Sequence, residues 1–175
     1  FGRAAMLGDP RRLLPKTWIM AAVQSAHGHS LIRQRRECDQ LLDDAARLAG
    51  QVDDEHVWGN ACHRTPGWVE VQRATCYGRL GADQEAASLW GQILGGMSGS
   101  ARRDTAVFRT RHAISLAATG EPEQAGHIAR DVVALVHETG SARLRGELLA
   151  LGKKMSPWAG TAAGRDVADT LASMN

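Results

Sequence analysis

The chain has 175 residues, of which 43% are hydrophobic and 23% are charged, and its formal net charge is +2. This balance predicts a soluble globular protein that buries about 70% of its unfolded surface, and it argues against a disordered chain. No apolar run reaches the roughly 20 residues that a membrane span needs, and the sequence shows no secretory leader, so we expect a cytoplasmic protein without a membrane partner.

Residues 1–66 are predicted to form helical pairs of a weaker repeat. Apolar residues recur every four positions from Leu14, with Pro15 in the first turn, as far as a predicted break at "HGHS". A second apolar stripe covers 31–49. Residues 50–66 are the least regular stretch, and they are expected to be either one short helix or a long loop.

Residues 67–175 are predicted to form one continuous series of helical repeats. "GGMSGS", Gly120 and "TGS" are the breaks between these helices. Pro122 is expected just inside a helix start, and Ser141 is expected to cap the following helix. The predicted helices are 67–80, 83–95, 101–119, a helix from 122 to the break at 139–141, 142–155, and a last amphipathic piece that includes Val167 and Leu171.

Two stretches repeat the same sizes and polarities at an offset of 39 residues. Small residues where two helices cross, large residues where they interlock, and glycine at the turn are typical of tetratricopeptide repeats. With weaker copies at 13–49 and 141–174, the pattern predicts an all-α, tetratricopeptide-like α-solenoid of about eight helices in antiparallel pairs. An irregular helical bundle is the alternative. The matched pairs are Ala74 with Ala113, Tyr77 with Leu116, Gly81 with Gly120, Ala86 with Ala125, Leu89 with Ile128 and Ile93 with Val132.

The repeat register also predicts a binding groove on the concave face of the first helices. The predicted groove is mostly apolar, with hydroxyl groups and guanidinium groups at its edge, which suits a peptide, a small amphipathic ligand or a partner protein. The alternative is that a neighbouring helix, such as 160–174, fills this space. The predicted groove residues are Trp68, Val71, Thr75 and Arg79 in one pair, and Val107, Thr110, Arg111 and Ile114 in the next.

The arginines do not predict a nucleic-acid interface. Arg102, Arg103, Arg109 and Arg111 scatter around a helix, so we interpret them as a solvated face or as members of intramolecular ion pairs. The basic run at 33–36 precedes acidic residues on the same predicted helix, and it is interpreted as a solvated helix face.

Metal, cofactor and catalytic sites are not predicted either. The chain has seven His and three Cys, but Cys38, Cys62 and Cys76 lack the short spacings of zinc sites and suit reduced thiols in a cytoplasm. His56 and His63 flank Cys62 without a recognisable ligand pattern. No nucleophile elbow, phosphate loop or dinucleotide fingerprint occurs, so we expect a protein that is not an enzyme and that carries no cofactor.

From roughly residue 67 onward the chain carries a sharper resemblance than a generic repeat. "RRD" before an Ala-rich helix, "GEPEQA" at a turn and "TGSARLRGEL" opening the last pair resemble the C-terminal, tetratricopeptide-like domain of bacterial transcription regulators. In that family a helix-turn-helix domain of the phage-repressor type precedes this domain. Residues 1–66 show no helix-turn-helix, and the chain begins at Phe1, so we expect a further N-terminal part.

This resemblance implies a regulatory ligand- or protein-binding module of a cytoplasmic transcription regulator. DNA would be a partner only through the missing N-terminal domain. The alternative is a scaffold module that forms a homodimer without a ligand, and an accessory domain of an enzyme is a weaker third hypothesis.

Overall fold

The computed structural model describes residues 15–52, 67–97 and 102–174. Within these ranges the chain forms eight α-helices and one short 3-10 turn, with no strand, which confirms the predicted all-helical fold class. Of the stretch 50–66, predicted to be one short helix or a long loop, residues 53–66 lie outside the described residues. The helices are α1 Pro15–Leu31, α2 Arg35–Ala49, α3 Trp68–Leu80, α4 Asp83–Gly95, α5 Arg102–Ala118, α6 Pro122–Thr139, α7 Ala142–Lys154 and α8 Ala162–Ala172, and the 3-10 turn is Ser156–Trp158.

The predicted helix ends coincide with residues whose chemistry suits them. Pro15 and Pro122 are the first residues of α1 and α6, where the missing N–H costs no helical hydrogen bond. The Ser141 side chain accepts a hydrogen bond from Leu144 N at 3.3 Å, as an N-cap does. Gly81 and Gly120 follow α3 and α5 with φ of 78° and 93°, a left-handed conformation that favours glycine. These predictions are confirmed.

The predicted break at "HGHS" is wrong, because α1 continues to Leu31. Gly28 lies inside the helix, and the Ser30 hydroxyl donates to the carbonyl of His27 at 2.7 Å. A hydrogen bond from the His27 ring to the Gln72 side chain, at 2.9 Å, ties this turn of α1 to α3. The chain reverses after Leu31 instead, where Arg33 has a φ of 60°. Tertiary contacts of His27 therefore override the weak helix propensity of glycine.

The chain divides into two compact units, Phe1–Ala82 and Asp83–Asn175. In the first unit α1 packs against α2, and both helices pack against α3. The buried residues that these three helices share are Ile19, Ala22, Val23, Ala26, Cys38, Leu42, Ala45, Val69 and Cys76. The prediction of a division at residue 66 and of one continuous solenoid beyond it stays a prediction.

In the second unit α5 is the central helix and packs against α4, α6 and α7. Trp90 of α4 stacks on Phe108 of α5 with ring centroids 5.4 Å apart. The Trp158 ring nitrogen donates to the carbonyl of Ala117 at 3.1 Å and so fixes the 3-10 turn to the end of α5. The last helix, α8, packs against α6 and α7.

The repeat at an offset of 39 residues has the burial that its register predicts. Ala74 and Ala113 are fully buried, as are Ala86 and Ala125. The large positions Tyr77 and Leu116 are each 8% exposed. At these three pairs of positions the two stretches therefore have the same burial, whereas Ile93 is half-buried and its counterpart Val132 is buried.

Candidate functional site

The four groove residues predicted in the first unit all lie on α3, and most of them already have partners there. Val71 is 4% exposed, and Trp68 packs against the core. The Thr75 hydroxyl donates to the carbonyl of Val71 at 2.8 Å. Arg79 is exposed, and its Nη1 lies 2.5 Å from His27 Nδ1. Of this set, Arg79 offers the most accessible polar group.

The four groove residues predicted in the second unit lie on α5. Val107 and Thr110 are buried, and the Thr110 hydroxyl donates to the carbonyl of Ala106 at 2.8 Å. Arg111 donates from Nε and Nη2 to Glu147 Oε1 at 2.8 and 2.6 Å, which joins α5 to α7. Ile114 is half-buried. A ligand that touched Val107 or Thr110 would have to expose them first, and the groove itself stays a prediction.

A cleft that the sequence did not predict lies between α4, α5 and α6 in the second unit. Its volume is about 280 Å³. Ligand pockets for whole small molecules are usually about 300–1,000 Å³, so this cleft suits one or two side chains of a partner better than a complete cofactor. We call it the α4–α6 cleft. Its lining residues are Leu94, Met97, Arg102, Thr105, Ala106, Arg109, Asp131, Val132, Ala134, Leu135 and Glu138.

Two ion pairs cross the rim of the α4–α6 cleft. Arg102 donates to Glu138 at 3.4 and 3.3 Å, and Arg109 donates to Asp131 at 2.5 Å. The two arginines are two helical turns apart on α5, and so are the two acids on α6, which fits an antiparallel pair of helices. Because all four side chains are at least 38% exposed, each pair stabilises the fold little, and a charged partner can replace it at small cost.

The ion pairs of Arg102, Arg109 and Arg111 confirm the prediction that these arginines form ion pairs within the chain. The signal that could have indicated the cleft is the seven-residue spacing of Arg102 and Arg109 and of Asp131 and Glu138. That spacing is visible in the sequence, but only the packing of α5 on α6 brings the two sets together.

The basic run at the start of α2 also pairs within the chain. Arg35 Nε donates to Asp39 Oδ2 at 2.7 Å, one helical turn later. This contact fits the interpretation of the run as a helix face whose later turns carry acidic residues.

A denser charge network in the first unit is structural. Arg73, with only 12% of its side chain exposed, pairs with Glu70 at 3.1 Å and with Asp43 at 2.7 Å. Arg35 lies over the ring of Tyr77 at 4.1 Å from its centroid, and burial raises the pKa of Tyr77. The open depression along α2 beside this network is lined by charged and amide side chains, whereas aliphatic side chains also line the α4–α6 cleft.

The described residues contain no group of three or more His, Cys, Asp and Glu side chains that could hold a metal ion. His56, Cys62 and His63 lie outside the described ranges, so the expectation that the protein binds no metal stays a prediction. Among the helices that the structure describes, none is long and apolar enough to cross a membrane.

No protein-family model matches the sequence, and neither does any curated protein. The fold is similar to two crystal structures of nearly identical TPR-like repeats from a protein of Podosopora anserina that is named as a kinesin light chain, one of them a variant with a single substitution. Their TM-scores are 0.58 and 0.59 at 15% identity, over 94% of this chain and 79% and 78% of theirs. At this identity the likeness shows the fold alone, which is TPR-like.

Proposed function

We propose that this chain is the regulatory, ligand- or protein-binding module of a cytoplasmic transcription regulator, with the DNA-binding part outside the chain. Its support is a TPR-like fold together with the "RRD", "GEPEQA" and "TGSARLRGEL" resemblance. These three stretches contribute to α5, to the turn that leads into α6, and to α7. The resemblance therefore covers the helices around which the second unit is built.

The observation that supports a binding role is the α4–α6 cleft. Leu94, Val132 and Leu135 give it an apolar lining, and exposed charges of both signs stand at its rim. An apolar side chain of a partner would contact these aliphatic residues. Charged residues beside it in the partner would form ion pairs with the arginines and acids at the rim, in place of the pairs within the chain. We therefore assign the cleft to a segment of a peptide or partner protein, with the charged ends of an amphipathic small molecule as the alternative.

Regulation follows if the occupant prefers one arrangement of α4, α5 and α6. A ligand shifts a conformational equilibrium only by the difference in its affinity for the two states. The exposed rim pairs suit this role, because they can separate and re-form at small cost.

A scaffold that forms a homodimer is the second candidate function. Leu31 and Ile32, at the turn between α1 and α2, are 68% and 65% exposed. Adjacent exposed aliphatic side chains favour burial against another protein surface. In this alternative the α4–α6 cleft has no occupant.

Native mass spectrometry of the full-length protein, purified from its own cells, distinguishes the two functions. The proposal predicts a component bound in fixed stoichiometry, and the scaffold function predicts a bare dimer. The Asp131→Lys variant places a second cation beside Arg109 and is expected to lose the component. The control is Asp169→Lys, an exposed position of α8 outside the cleft lining, which is expected to keep it. Equal occupancy in both variants rules out the cleft as the site.

A further inference from the structure

Two cysteines from different helices share the core of the first unit. Cys38 of α2 and Cys76 of α3 are both fully buried, and both are free thiols. Both side chains belong to the same buried cluster, and each thiol perturbs the pKa of the other. They are far apart in the sequence, so only the packing of α2 on α3 brings the two sulfur atoms together.

A histidine from the third helix of the unit completes the cluster. Cys76 Sγ lies 3.7 Å from His27 Nδ1. The opposite ring nitrogen, Nε2, lies 2.9 Å from Gln72 Oε1 and, as the donor, leaves Nδ1 as the acceptor. Arg79 Nη1 lies 2.5 Å from the same Nδ1. Cys76 is therefore next to an imidazole that contacts Gln72 through one ring nitrogen and Arg79 through the other.

The two thiols are not equivalent. The hydrogen bond with Cys38 lowers the pKa of Cys76, burial opposes this, and the contact with His27 lowers the pKa further. The same hydrogen bond and burial raise the pKa of Cys38. The pair thus holds one sulfur as the better nucleophile, while the other keeps its proton.

The cluster lies one side chain beneath the surface. Cys76 is fully buried, but its neighbour His27 is half-buried, and Arg79, which contacts the same ring nitrogen of His27 as Cys76 does, is exposed. A small displacement of Arg79 therefore opens a short path to the sulfur. An oxidant as small as hydrogen peroxide can use such a path, whereas a large thiol reagent cannot.

We propose that Cys38 and Cys76 form an oxidation site for small peroxides, which converts the dithiol into a disulfide between α2 and α3. The Cys76 thiolate attacks one peroxide oxygen, the O–O bond breaks, and the other oxygen leaves as water after taking a proton. Cys76 is then a sulfenic acid. The Cys38 sulfur attacks the Cys76 sulfur, the S–O bond breaks, and the hydroxyl leaves as water with the Cys38 proton. Two thiols and one peroxide thus give one disulfide and two waters.

The bond would add a covalent link to helices that otherwise meet through side-chain packing and the ion pair of Arg73 with Asp43. A disulfide needs its two sulfurs at about 2.05 Å, so the Cys76 sulfur must bond to Cys38, and its contact with His27 must change. Because His27 belongs to α1 and contacts both Cys76 and Gln72 of α3, formation of the disulfide would also alter the contacts of α1. This chemistry is independent of the α4–α6 cleft, and its test does not depend on that function.

The test treats the full chain with hydrogen peroxide, blocks the remaining thiols and maps the products by mass spectrometry. The expected result is loss of two hydrogens in a Cys38–Cys76 linkage, with Cys62 blocked as a free thiol. Cys38→Ala is expected to accumulate a Cys76 sulfenic acid that dimedone traps, whereas Cys76→Ala leaves Cys38 unoxidised. Cys62→Ala is the matched control and keeps the linkage. Free glutathione in the same tube is the control for sufficient peroxide. The proposal is overturned by a disulfide that involves Cys62. It is also overturned if Cys76 stays reduced when the glutathione is fully oxidised.

A second measurement separates reactivity from folding. His27→Gln keeps a polar side chain of similar size, and circular dichroism checks that its helices are retained. The proposal predicts that its sulfenic acid forms at least tenfold more slowly at neutral pH, and that the difference narrows as the pH rises and the thiol ionises without assistance. An unchanged rate in a folded His27→Gln variant contradicts the role of the cluster.

Discussion

Gly164 shows how a single residue can set the packing of a whole helix. It lies in the first turn of α8, and Thr161 caps that turn by accepting a hydrogen bond from Gly164 N at 3.1 Å. A Cβ atom at position 164 would overlap the backbone carbonyl of Trp158. Because backbone cannot rotate away as a side chain can, the close approach of the 3-10 turn to α8 requires glycine here.

We predict that Gly164→Ala lowers the free energy of unfolding by about 1–3 kcal/mol, because the added methyl group must displace the turn. Gly146→Ala in α7 is the matched control. Apart from the chain neighbours and the backbone of α7 itself, no heavy atom lies within 4 Å of a Cβ at that position. The control should stabilise the protein by about 0.5–1 kcal/mol through helix propensity. Urea unfolding of both variants measures the difference, and equal midpoints would show that the turn adapts freely.

The pH dependence of stability can be traced in part to His112. Burial lowers the pKa of His112 below its ordinary value of 6.5. The folded state therefore binds the proton less tightly than the unfolded chain. The stabilising contribution is present above pH 6.5 and is lost as the pH falls below that value. His112→Gln should flatten this part of a stability profile from urea melts between about pH 5 and about pH 8, and an unchanged slope would assign the effect to other groups.

At the scale of the element, the helices α5 and α6 pack together, and each carries a small buried residue at a position that the repeat assigns to the crossing. Ala113 and Ala125 are both fully buried, and the two helices pack closely. Interiors have packing densities near those of organic crystals, so no spare volume remains for a larger side chain at this crossing.

We expect Ala125→Leu to destabilise the protein by about 1–3 kcal/mol, since the larger side chain must separate the helices or leave its preferred rotamer. Ala150→Leu has the same change in volume at an exposed position of α7 and should cost much less. Thermal melts of the two variants separate packing from helix propensity. A similar loss of stability in both would mean that the position of small residues in the repeat does not matter.

Helices were predictable because their signals are local. Pro122, Ser141 and Gly120 mark ends through backbone chemistry that does not depend on the rest of the chain. The continuation of α1 through Gly28 was not predictable, because its cause is a contact with Gln72 on another helix.

The candidate sites were harder to predict than the helices. The α4–α6 cleft and the Cys38–Cys76 pair both arise from residues that are distant in sequence and meet only after packing. The repeat register did place Thr75 and Thr110 on first helices, but it could not show that their hydroxyls bond to carbonyls of their own helices. Periodicity reports which face of a helix is apolar, and it does not report what covers that face.

For the molecule as a whole, charges nearly cancel, and several of its arginines are paired within the chain. The formal net charge is +2, and Arg102, Arg109 and Arg111 all form intramolecular ion pairs. Duplex DNA attracts proteins mainly through unpaired cations that displace its counterions.

This chain should therefore bind duplex DNA weakly and without sequence preference, with a dissociation constant of about 10⁻⁶ M or weaker at physiological salt. Fluorescence anisotropy with duplexes of different sequence, at several salt concentrations, measures both properties. A nanomolar, salt-resistant and sequence-specific complex of the isolated chain would show that its arginines are available to DNA after all.

The central claim is that a partner segment or ligand occupies the α4–α6 cleft. Hydrogen–deuterium exchange tests it most directly, on full-length protein from its own cells, before and after its bound component is removed. We predict that the bound form exchanges more slowly in peptides from α4, α5 and α6, around the rim pairs of Arg102 and Arg109. Protection confined to α1, α2 and α3, or identical exchange in the two forms, would contradict the account.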